Sequence, residues 1–471
     1  PPKTKPPSPQ QAPRDLPPPF AAYAQRYLDG IKPGIAYSSW KREAETVRLY
    51  LTPAFGNAPL NSLVEDVIEA YINARLSGST EIPVGEGGRH ALSPATVSSH
   101  VGVLRRILKL AERAGHVPHN YARNVKRPKT PDRSVDPISP DQAGLMARLI
   151  AAEFLPLLLL LLHLGLRVGE ALPLTIHDWN PLRRELRIHI GLKLTPKGEP
   201  PATGPTKTRS GRRTLTVGED LAREIIEPLV AAATNNPGNP DGLLFPSQKG
   251  TLLSSSNFRN RQWIPTVVAA QLKLLSPLDR DRVLHELPER WRLLGQLLCE
   301  VQLLSLDAVR QLRREQLHGD TLHFTDQAGA RHKHRLDPGT AHALRTYLAT
   351  TEDVPNARGR MFPGHQGMAM PRDEFVDALR QAVDHASVRL HRQRTRLHDL
   401  RHTWAATQIL DVGLTASELR HLGGWSKTSF VLDTYVELFA RQKGQRADTY
   451  KHPGAAEESG DGDGDDARAA A

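Results

Sequence analysis

The apolar positions between Phe20 and Arg127 recur at helical spacing. Ser93 and Pro94 form an N-cap followed by a proline in the first turn, which is a typical helix start. The apolar residues after them lie four and three positions apart, at Val97, Val101, Leu104 and Leu108. This spacing places them on one helix face. The pattern predicts a helical module over residues 19–128.

A second helical region begins at Ser139-Pro140, where the same cap-plus-proline signal occurs. Leucine-rich helices follow, and then two segments that alternate apolar and polar residues, Glu185–Ile190 and Arg213–Val217. Alternation of this kind predicts β-strands, and the Gly-, Pro- and Lys-rich stretch between them predicts a hairpin. We therefore expect a mainly α domain with a small antiparallel β-sheet (α+β) at 138–453, after a basic, proline-broken linker at 129–137.

A weak internal repeat lies inside this second domain. Phe245-Pro246, Gly250 and Phe258 recur with identical spacing, and the leucine-rich run and the first strand upstream of them have looser counterparts. The later counterparts of the first set are Phe362-Pro363, Gly367 and Phe375. Upstream of these, Leu293–Leu312 matches Leu159–Leu174, and Leu317–Phe324 matches the first strand. Repeated spacing favours a degenerate duplication at about 283–390. Two unrelated Phe-Pro turns are the alternative.

Both ends of the chain have biased composition. Residues 1–18 contain eight prolines and little to bury, which predicts an extended, disordered tail. Residues 454–471 are rich in glycine and acidic side chains, and a solvated, disordered segment is expected there as well.

Charge points to a polyanionic partner. The 471 residues include 62 Lys and Arg against 51 Asp and Glu, a formal net charge of +11. An excess of this size is typical of nucleic-acid-binding proteins, although a merely soluble basic protein is the simpler alternative. The single cysteine, Cys299, excludes an internal disulfide and a Cys-based zinc site, and a cytoplasmic protein is expected. The most apolar run, Phe154–Leu166, is too short to span a membrane.

Seven basic residues are candidates for contact with DNA phosphates. Guanidinium groups concentrated with few acidic neighbours suit phosphate binding, although a solvated helix surface has the same composition. The candidates are Arg105, Arg106, Lys109, Lys126, Arg127, Arg394 and Arg396.

Five short stretches carry the side chains that a metal-free attack on a phosphodiester needs. Each alone is weak, because a His-x-x-Arg pair or a lone Trp usually has a structural role. In chain order they are Gly165–Leu172, Thr206–Arg213, Arg396–His402, Leu422–Ser426 and Leu432–Val436. Their ordered occurrence resembles the tyrosine recombinase (phage-type integrase) family over about residues 20–445.

The resemblance implies a role for each motif residue. It makes 19–128 a core-binding domain that contacts DNA and 138–453 the catalytic domain. Arg167 and Arg401 match the two catalytic arginines, and Lys207 matches the hairpin lysine. His398 and Trp425 match further catalytic positions and Tyr435 matches the nucleophile, while the family's next histidine position, directly after Arg401, is His402.

The sequence departs from the family pattern in two places. About 100 additional residues separate Phe258 from His398, where the family has a short connection. Within the repeat, Leu304 falls where an arginine is expected, and no lysine matches Lys207. The first copy is therefore expected to be catalytic and the second to be a structural relic.

The residue types suit the chemistry that the resemblance implies. Two guanidinium groups stabilise the charge that develops on an attacked phosphodiester, and a phenol with reference pKa near 10 needs help to ionise. His398 and the arginines are candidates for that help, and Lys207 is a candidate proton donor to the leaving 5′ oxygen. No carboxylate cluster accompanies them, so neither a metal nor a cofactor is expected.

The expected function is site-specific DNA recombination through a 3′-phosphotyrosine intermediate, without ATP, in the integration or excision of a mobile element of bacterial or phage origin. The expected partners are double-stranded DNA and three further protomers in a synaptic tetramer of a chain that is otherwise monomeric. Accessory directionality or bending factors are also conceivable. The alternatives are a type IB topoisomerase, a catalytically inactive DNA-binding regulator and, less compatible with the motifs, a repeat-containing adaptor.

Overall fold

The computed structural model describes residues 18–130, 135–196, 198–206, 208–301, 303–326, 329–351, 359–364, 368–386 and 396–449. Within these ranges the side chains of 372, 373, 397 and 444–449 are not described. The predicted tails, apart from Pro18, and part of the predicted linker therefore lie outside the described residues. The chain divides into two compact units. The first comprises residues 1–133 and 194–200, and the second comprises 134–193 and 201–471.

The first unit is helical. Its helices are α1 (Phe20–Ile31), α2 (Tyr37–Thr46), α3 (Thr52–Phe55), α4 (Glu65–Ser77) and α5 (Pro94–Arg113). Helix α5 starts as predicted, because the Ser93 side chain accepts a hydrogen bond from the Thr96 N–H. Its four predicted apolar positions are all buried in one core with α1 and α4.

The second unit starts with helices and a small sheet. Its first elements are α6 (Pro140–Leu149), α7 (Leu155–Leu164), α8 (Val168–Ala171), β1 (Trp179–Asn180), β2 (Glu185–Ile188), β3 (Ile190–Lys193), β4 (Ala202–Pro205), β5 (Arg213–Thr216), α9 (Glu219–Leu221), α10 (Glu227–Thr234), α11 (Ser255–Phe258) and α12 (Ile264–Lys273). Strands β1, β2 and β5 form an antiparallel sheet, and β3 and β4 form a separate two-stranded hairpin. The alternation of burial in β2 turns Leu186 and Ile188 into the core.

The next elements repeat this order. They are α13 (Pro277–Glu286), α14 (Glu289–Glu300), α15 (Leu306–Gln311), β6 (Leu317–His318), β7 (Thr321–Thr325), β8 (Arg331–Arg335), α16 (Pro338–Thr350) and α17 (Arg372–His385). Strands β6, β7 and β8 form a second three-stranded antiparallel sheet. This segment has its own hydrophobic core, distinct from the core around α7.

Backbone hydrogen bonds show that the two segments share one frame. Three long-range bonds of the first have counterparts in the second. In the first segment the N–H groups of Ile176, Leu244 and Val217 donate to the carbonyl oxygens of Gly242, Leu174 and Arg184, respectively. The counterparts in the second segment, in the same order, are the N–H groups of Arg314, Met361 and Leu336, which donate to the carbonyl oxygens of Gly359, Leu312 and Asp320. We call residues 139–275 the first copy and 276–386 the second copy.

The structure corrects three details of the expected repeat. The second copy starts at Ser276, which caps α13 as Ser139 caps α6, rather than near 283. The segment Leu317–Phe324 is not a single strand but comprises β6, a turn and most of β7, because Gly319 adopts a positive φ of 61° and reverses the chain. Ser305, and not Leu304, stands in the place of Arg167, since each of them is the residue directly before α8 or α15.

The last helices return to the first copy. They are α18 (Leu397–Leu410), α19 (Ala416–Gly423), α20 (Thr428–Thr434) and α21 (Val436–Thr449). Helix α18 packs on α7, so the second copy is an insertion between α12 and α18. Lys273, the last residue of α12, lies against the end of α14 of the second copy, where its Nζ donates to the carbonyl oxygens of Leu298 and Val301.

These observations confirm the predicted mainly helical α+β fold with small antiparallel sheets. Among the described residues, no helix is long and apolar enough to cross a membrane.

Candidate functional site

Arg167 lies at a sharp corner between α7 and α8. Gly165 ends α7 in the left-handed region, at φ 59°, and any larger residue there would collide with the Trp404 ring. Arg167 then precedes α8, and its Nη1 contacts Glu170 Oε1 at 2.5 Å. The arginine side chain remains 38% exposed, so the corner presents a guanidinium group to solvent.

Glu170 joins Arg167 to a third arginine. Its Oε2 accepts a hydrogen bond from Arg213 Nη2 at 3.0 Å, and Arg213 also donates to the Gly211 carbonyl oxygen. Burial by itself would raise the pKa of Glu170, but Arg213 and Arg167 lower it on balance, so the carboxylate stays ionised. Since Arg213 begins β5, directly after the Lys207 stretch, Glu170 ties that stretch to the Arg167 corner.

Arg401 is completely buried on α18. Its Nη1 donates to the Gly165 carbonyl oxygen at 2.6 Å and its Nη2 donates to that of Gly423. Its Nε is buried without a partner among the described residues. Burial, with Arg167 and Arg213 adding to it, lowers the pKa of Arg401 to about 9, so the group is still a cation at neutral pH.

The indole ring of Trp425 packs against the guanidinium group of Arg401. The guanidinium carbon lies 4.0 Å from the centroid of the indole ring, a cation–π contact. Gly423 and Gly424 permit this approach, because a Cβ on Gly423 would collide with the indole and Gly424 adopts a φ of 66°. Trp425 also stacks on Trp404 and meets the Tyr435 ring edge to face. Its predicted hydrogen bond to a phosphate stays a prediction.

The Tyr435 phenol points to His402. Its hydroxyl lies 3.0 Å from Nδ1 of His402, within hydrogen-bond distance. Tyr435 is 1% exposed, and burial raises the pKa of the phenol, while Arg401 and Arg167 oppose that rise. From the sequence, His398 and the arginines are the candidates for help with ionisation, and His402 is only the histidine that follows Arg401. The helical periodicity of α18 did not show which histidine reaches the phenol.

His398 lies one turn before His402, with ring centroids 5.0 Å apart. Burial, followed by His402 and Arg401, lowers the pKa of His398 to about 4. The ring is therefore neutral at pH 7, with one nitrogen that donates and one that accepts a hydrogen bond, and the tautomer decides which is which.

The remaining predicted residues have varied positions. Lys207 and Arg394 lie outside the described residues. Arg396 precedes α18 and pairs with Asp399 at 3.1 Å, although its side chain is 55% exposed. Among the described residues, no group of three or more His, Cys, Asp or Glu side chains is arranged to hold a metal ion.

The predicted DNA contacts of the first unit include both free and engaged side chains. Arg105 donates to the carbonyl oxygens of Ala122 and Arg123, and Arg106 pairs with Glu43 at 2.7 Å. The other three, Lys109, Lys126 and Arg127, are exposed. Their contact with DNA remains a prediction.

Comparison with solved protein structures identifies the fold. The chain is similar to the Tn1549 transposon integrase in complex with a circular intermediate DNA, with TM-score 0.50 and 14% identity over 90% of this chain and 99% of that chain. The same integrase in complex with transposon right end DNA matches with TM-score 0.50 and 14% identity, over 90% of this chain and 98% of that chain. The fold is that of the tyrosine recombinases.

Lambda integrase, as a dimer bound to a COC′ core site, matches with TM-score 0.39 and 10% identity, over 89% of this chain and 76% of that chain. No family model and no curated protein matches the sequence. The tyrosine recombinase fold therefore rests on the structural comparison, and the roles of individual residues rest on the geometry of the site.

Proposed function

We propose that the chain is a site-specific DNA recombinase of a mobile element that cuts and rejoins DNA strands through a 3′-phosphotyrosine at Tyr435. The observation that carries the proposal is the convergence of a buried phenol, a histidine within hydrogen-bond distance of it and two arginines whose charge acts on it. The similar Tn1549 integrase structures contain DNA, which supports DNA as the substrate here.

In the first step the Tyr435 oxygen attacks the phosphorus atom of a phosphodiester. His402 is placed to accept the phenolic proton through Nδ1, provided that its tautomer leaves this nitrogen unprotonated. A bond forms between the tyrosine oxygen and phosphorus, and the bond to the 5′ oxygen breaks. The liberated 5′ oxygen takes a proton, which we assign to Lys207. Religation reverses these changes with a 5′ hydroxyl from another strand, so ATP is not consumed.

The arginines stabilise the charge that develops on the two non-bridging oxygens. Arg167 is the solvent-facing member of the pair, and Arg401 has one buried nitrogen, Nε, without a described partner. Both are held before the reaction, Arg167 by Glu170 and Arg401 by carbonyl oxygens. Fixed cations of this kind favour the transition state because they need no reorganisation when the charge forms.

The buried state of Tyr435 means that the pocket must open before DNA can react. The phenol is almost inaccessible, whereas the Arg167 corner is open. We infer that a phosphate first meets Arg167 and that the segment carrying Tyr435 then adjusts. Assembly into a tetramer of protomers on two DNA segments is part of the proposal, and sedimentation of the protein with and without DNA tests it.

A nicked suicide duplex taken from the DNA that flanks the gene of this protein tests the central proposal. We expect the wild-type chain to form a covalent protein–DNA adduct, visible on a denaturing gel, and Tyr435→Phe to form none. An adduct that survives the Phe change would move the nucleophile elsewhere, for example to Tyr450. Site-independent relaxation of a plasmid would favour a topoisomerase, and tight binding without any adduct would favour an inactive regulator.

The proposed proton donor has its own test. Lys207→Ala should slow cleavage of an ordinary substrate by roughly 100-fold or more, the scale of general acid catalysis. Replacement of the bridging 5′ oxygen by sulfur gives a leaving group that needs no proton, because a thiol has a pKa well below that of an alcohol. Cleavage of that substrate should be nearly unaffected by the mutation. An equal defect on both substrates would contradict the role of Lys207.

A further inference from the structure

The sheet of the second copy has one strongly cationic face. Strand β8 reads Arg-His-Lys-His-Arg over 331–335, and its three outer cations are exposed while its histidines are half-buried. The register opposes Lys333 to His323, Arg335 to Thr321, and Arg331 to Thr325, so these side chains share a face. We define the β8 face as His318, His323, Arg331, Lys333 and Arg335.

The equivalent sheet of the first copy shows that the fold does not require these charges. Its outward pairs are Glu185 with Thr216 and Arg187 with Thr214. At the positions of these two threonines the second copy has Arg335 and Lys333, and it has no acidic residue in place of Glu185. At these two positions the same backbone ladder thus has neutral side chains in one copy and cations in the other. Cations so close together repel one another, which destabilises the sheet unless an anion binds.

The nearby carboxylates do not neutralise the β8 face. Asp320 pairs with Arg345, and Asp326 pairs with His332 on the inner side of the sheet. Glu300 lies near His334, also on the inner side. Within the part of the chain that the structure describes, no carboxylate oxygen lies within 4.0 Å of Arg331, Lys333 or Arg335. The three outer cations are therefore available to a ligand.

We propose that the β8 face binds the phosphate backbone of duplex DNA, as a second contact besides the Tyr435 site. Alternate residues of a strand lie about 6.8 Å apart, so β8 presents an evenly spaced row of three charges. A regular polyanion fits such a row better than a single small anion does. Side chains of this type contact phosphates and position DNA without reading its sequence. The inference rests on the proposed function, because that function supplies the DNA.

Removal of the three outer cations tests the proposal. The variant Arg331→Gln, Lys333→Gln, Arg335→Gln is made in the full-length Tyr435→Phe chain, so that binding is measured without cleavage. The matched control removes three exposed but ion-paired arginines of the second copy, by Arg282→Gln, Arg345→Gln and Arg380→Gln. Both triple variants have the same net charge. Thermal unfolding of each checks that the fold is retained.

The readout is the affinity for a 60-base-pair duplex as a function of NaCl concentration. Each lost phosphate contact should make the slope of log K against log salt less steep by about 0.9, so a loss of two to three contacts is expected to change it by roughly 2 to 3. The affinity at fixed salt should fall by roughly 10- to 100-fold. The control triple variant should bind as the Tyr435→Phe chain does.

Three results would overturn the proposal. The first is an unchanged affinity and slope in the β8 variant, and the second is an equal loss in the control variant, which would assign the effect to net charge alone. A loss confined to a matched RNA duplex would also contradict it. None of these results affects adduct formation by the wild-type chain, which tests the proposed function separately.

Discussion

The two copies of the half-domain share a backbone frame and differ in the side chains placed on it. Where the first copy has Arg167 before α8, the second has Ser305 before α15. Ala308 stands in place of Glu170, and His332 in place of Arg213. The β3–β4 hairpin, which precedes Lys207, is replaced by the short connection between β7 and β8.

This difference separates what builds the fold from what the proposed chemistry needs. The repeated hydrogen bonds involve backbone atoms and buried apolar positions, which both copies keep. The charged network around Glu170 is present only in the copy that packs against α18. Each leucine-rich helix also has a buried cation at its end, Arg401 of α18 beside α7 and Lys273 of α12 beside α14.

Substitutions of Arg401 and of Lys273 are expected to differ most in their effects on the rate of adduct formation. Arg401→Ala should reduce the rate of adduct formation by roughly 100- to 5,000-fold, since one charge-assisted transition-state contact is worth about 3 to 5 kcal/mol, while DNA binding is nearly retained. Lys273→Met should lower only the free energy of unfolding, by about 1 to 2 kcal/mol. Suicide-substrate kinetics and urea denaturation measure the two effects.

Because Arg401 is buried, Arg401→Lys serves as a second variant that keeps the charge. It should fold and still cleave slowly, since an ammonium group cannot replace the planar guanidinium that donates to the Gly165 carbonyl oxygen and, in the proposed reaction, also contacts the phosphate. Full activity in a folded Arg401 variant would remove this residue from the site.

Replacement of Arg167, the residue directly before α8, is expected to have the next largest effect. Arg167→Ser imports the residue of the second copy, and it should slow cleavage about 100-fold through loss of a charged contact. Stability should change by less than about 1 kcal/mol, because serine is itself a good N-cap. The reverse change, Ser305→Arg, should leave cleavage unaltered. A defect of similar size from both changes would show that the copies are not functionally distinct.

Removal of Glu170 tests the buried network through stability. Glu170→Ala, again the residue of the second copy, leaves Arg213 buried without its carboxylate and should lower the free energy of unfolding by about 3 kcal/mol. The double variant Glu170→Ala, Arg213→Met should recover most of that loss, because the uncompensated charge is then absent. Urea denaturation measures both, and two strictly additive losses would contradict the coupling.

The smallest expected effect concerns pH. The pKa of His398 is lowered to about 4 from 6.5, so the folded chain favours the neutral ring. The stability that this provides is complete above pH 6.5 and is lost as the pH falls toward 4. His398→Gln should therefore flatten the dependence of the unfolding free energy on pH between 6.5 and 4. The wild-type and variant chains are compared by urea denaturation, and parallel pH profiles would contradict the expectation.

Local signals in the sequence predicted much of the fold. Serine followed by proline marked the starts of α5 and α6, and alternation marked β2 and β5. The same serine-proline signal occurs at Ser276, but the repeat is indicated mainly by its Phe-Pro turns. These turns do not mark where the repeat begins, so its predicted first residue lies several positions after Ser276. The match of Leu304, instead of Ser305, to the position of Arg167 has the same cause, because a weak sequence match cannot fix an alignment to one residue.

Contacts between distant residues could not be predicted in this way. The motifs brought Arg167, Arg401 and Tyr435 to one site only through the family resemblance. Neither composition nor spacing indicated that Arg213 reaches Glu170, which lies 43 positions earlier. The choice of His402 over His398 depends on how α18 is rotated toward α20, and tertiary packing decides that rotation.

The contact between Arg401 and the Gly165 carbonyl oxygen closes a span of 236 residues. The entropic penalty of that closure grows only slowly with length, so an insertion that roughly doubles the span adds about 0.6 kcal/mol. The main consequence is one of timing during synthesis. A ribosome must synthesise the chain past Tyr435 before the phenol and its arginines can meet, so under the proposed function shorter nascent chains have no means of breaking a strand.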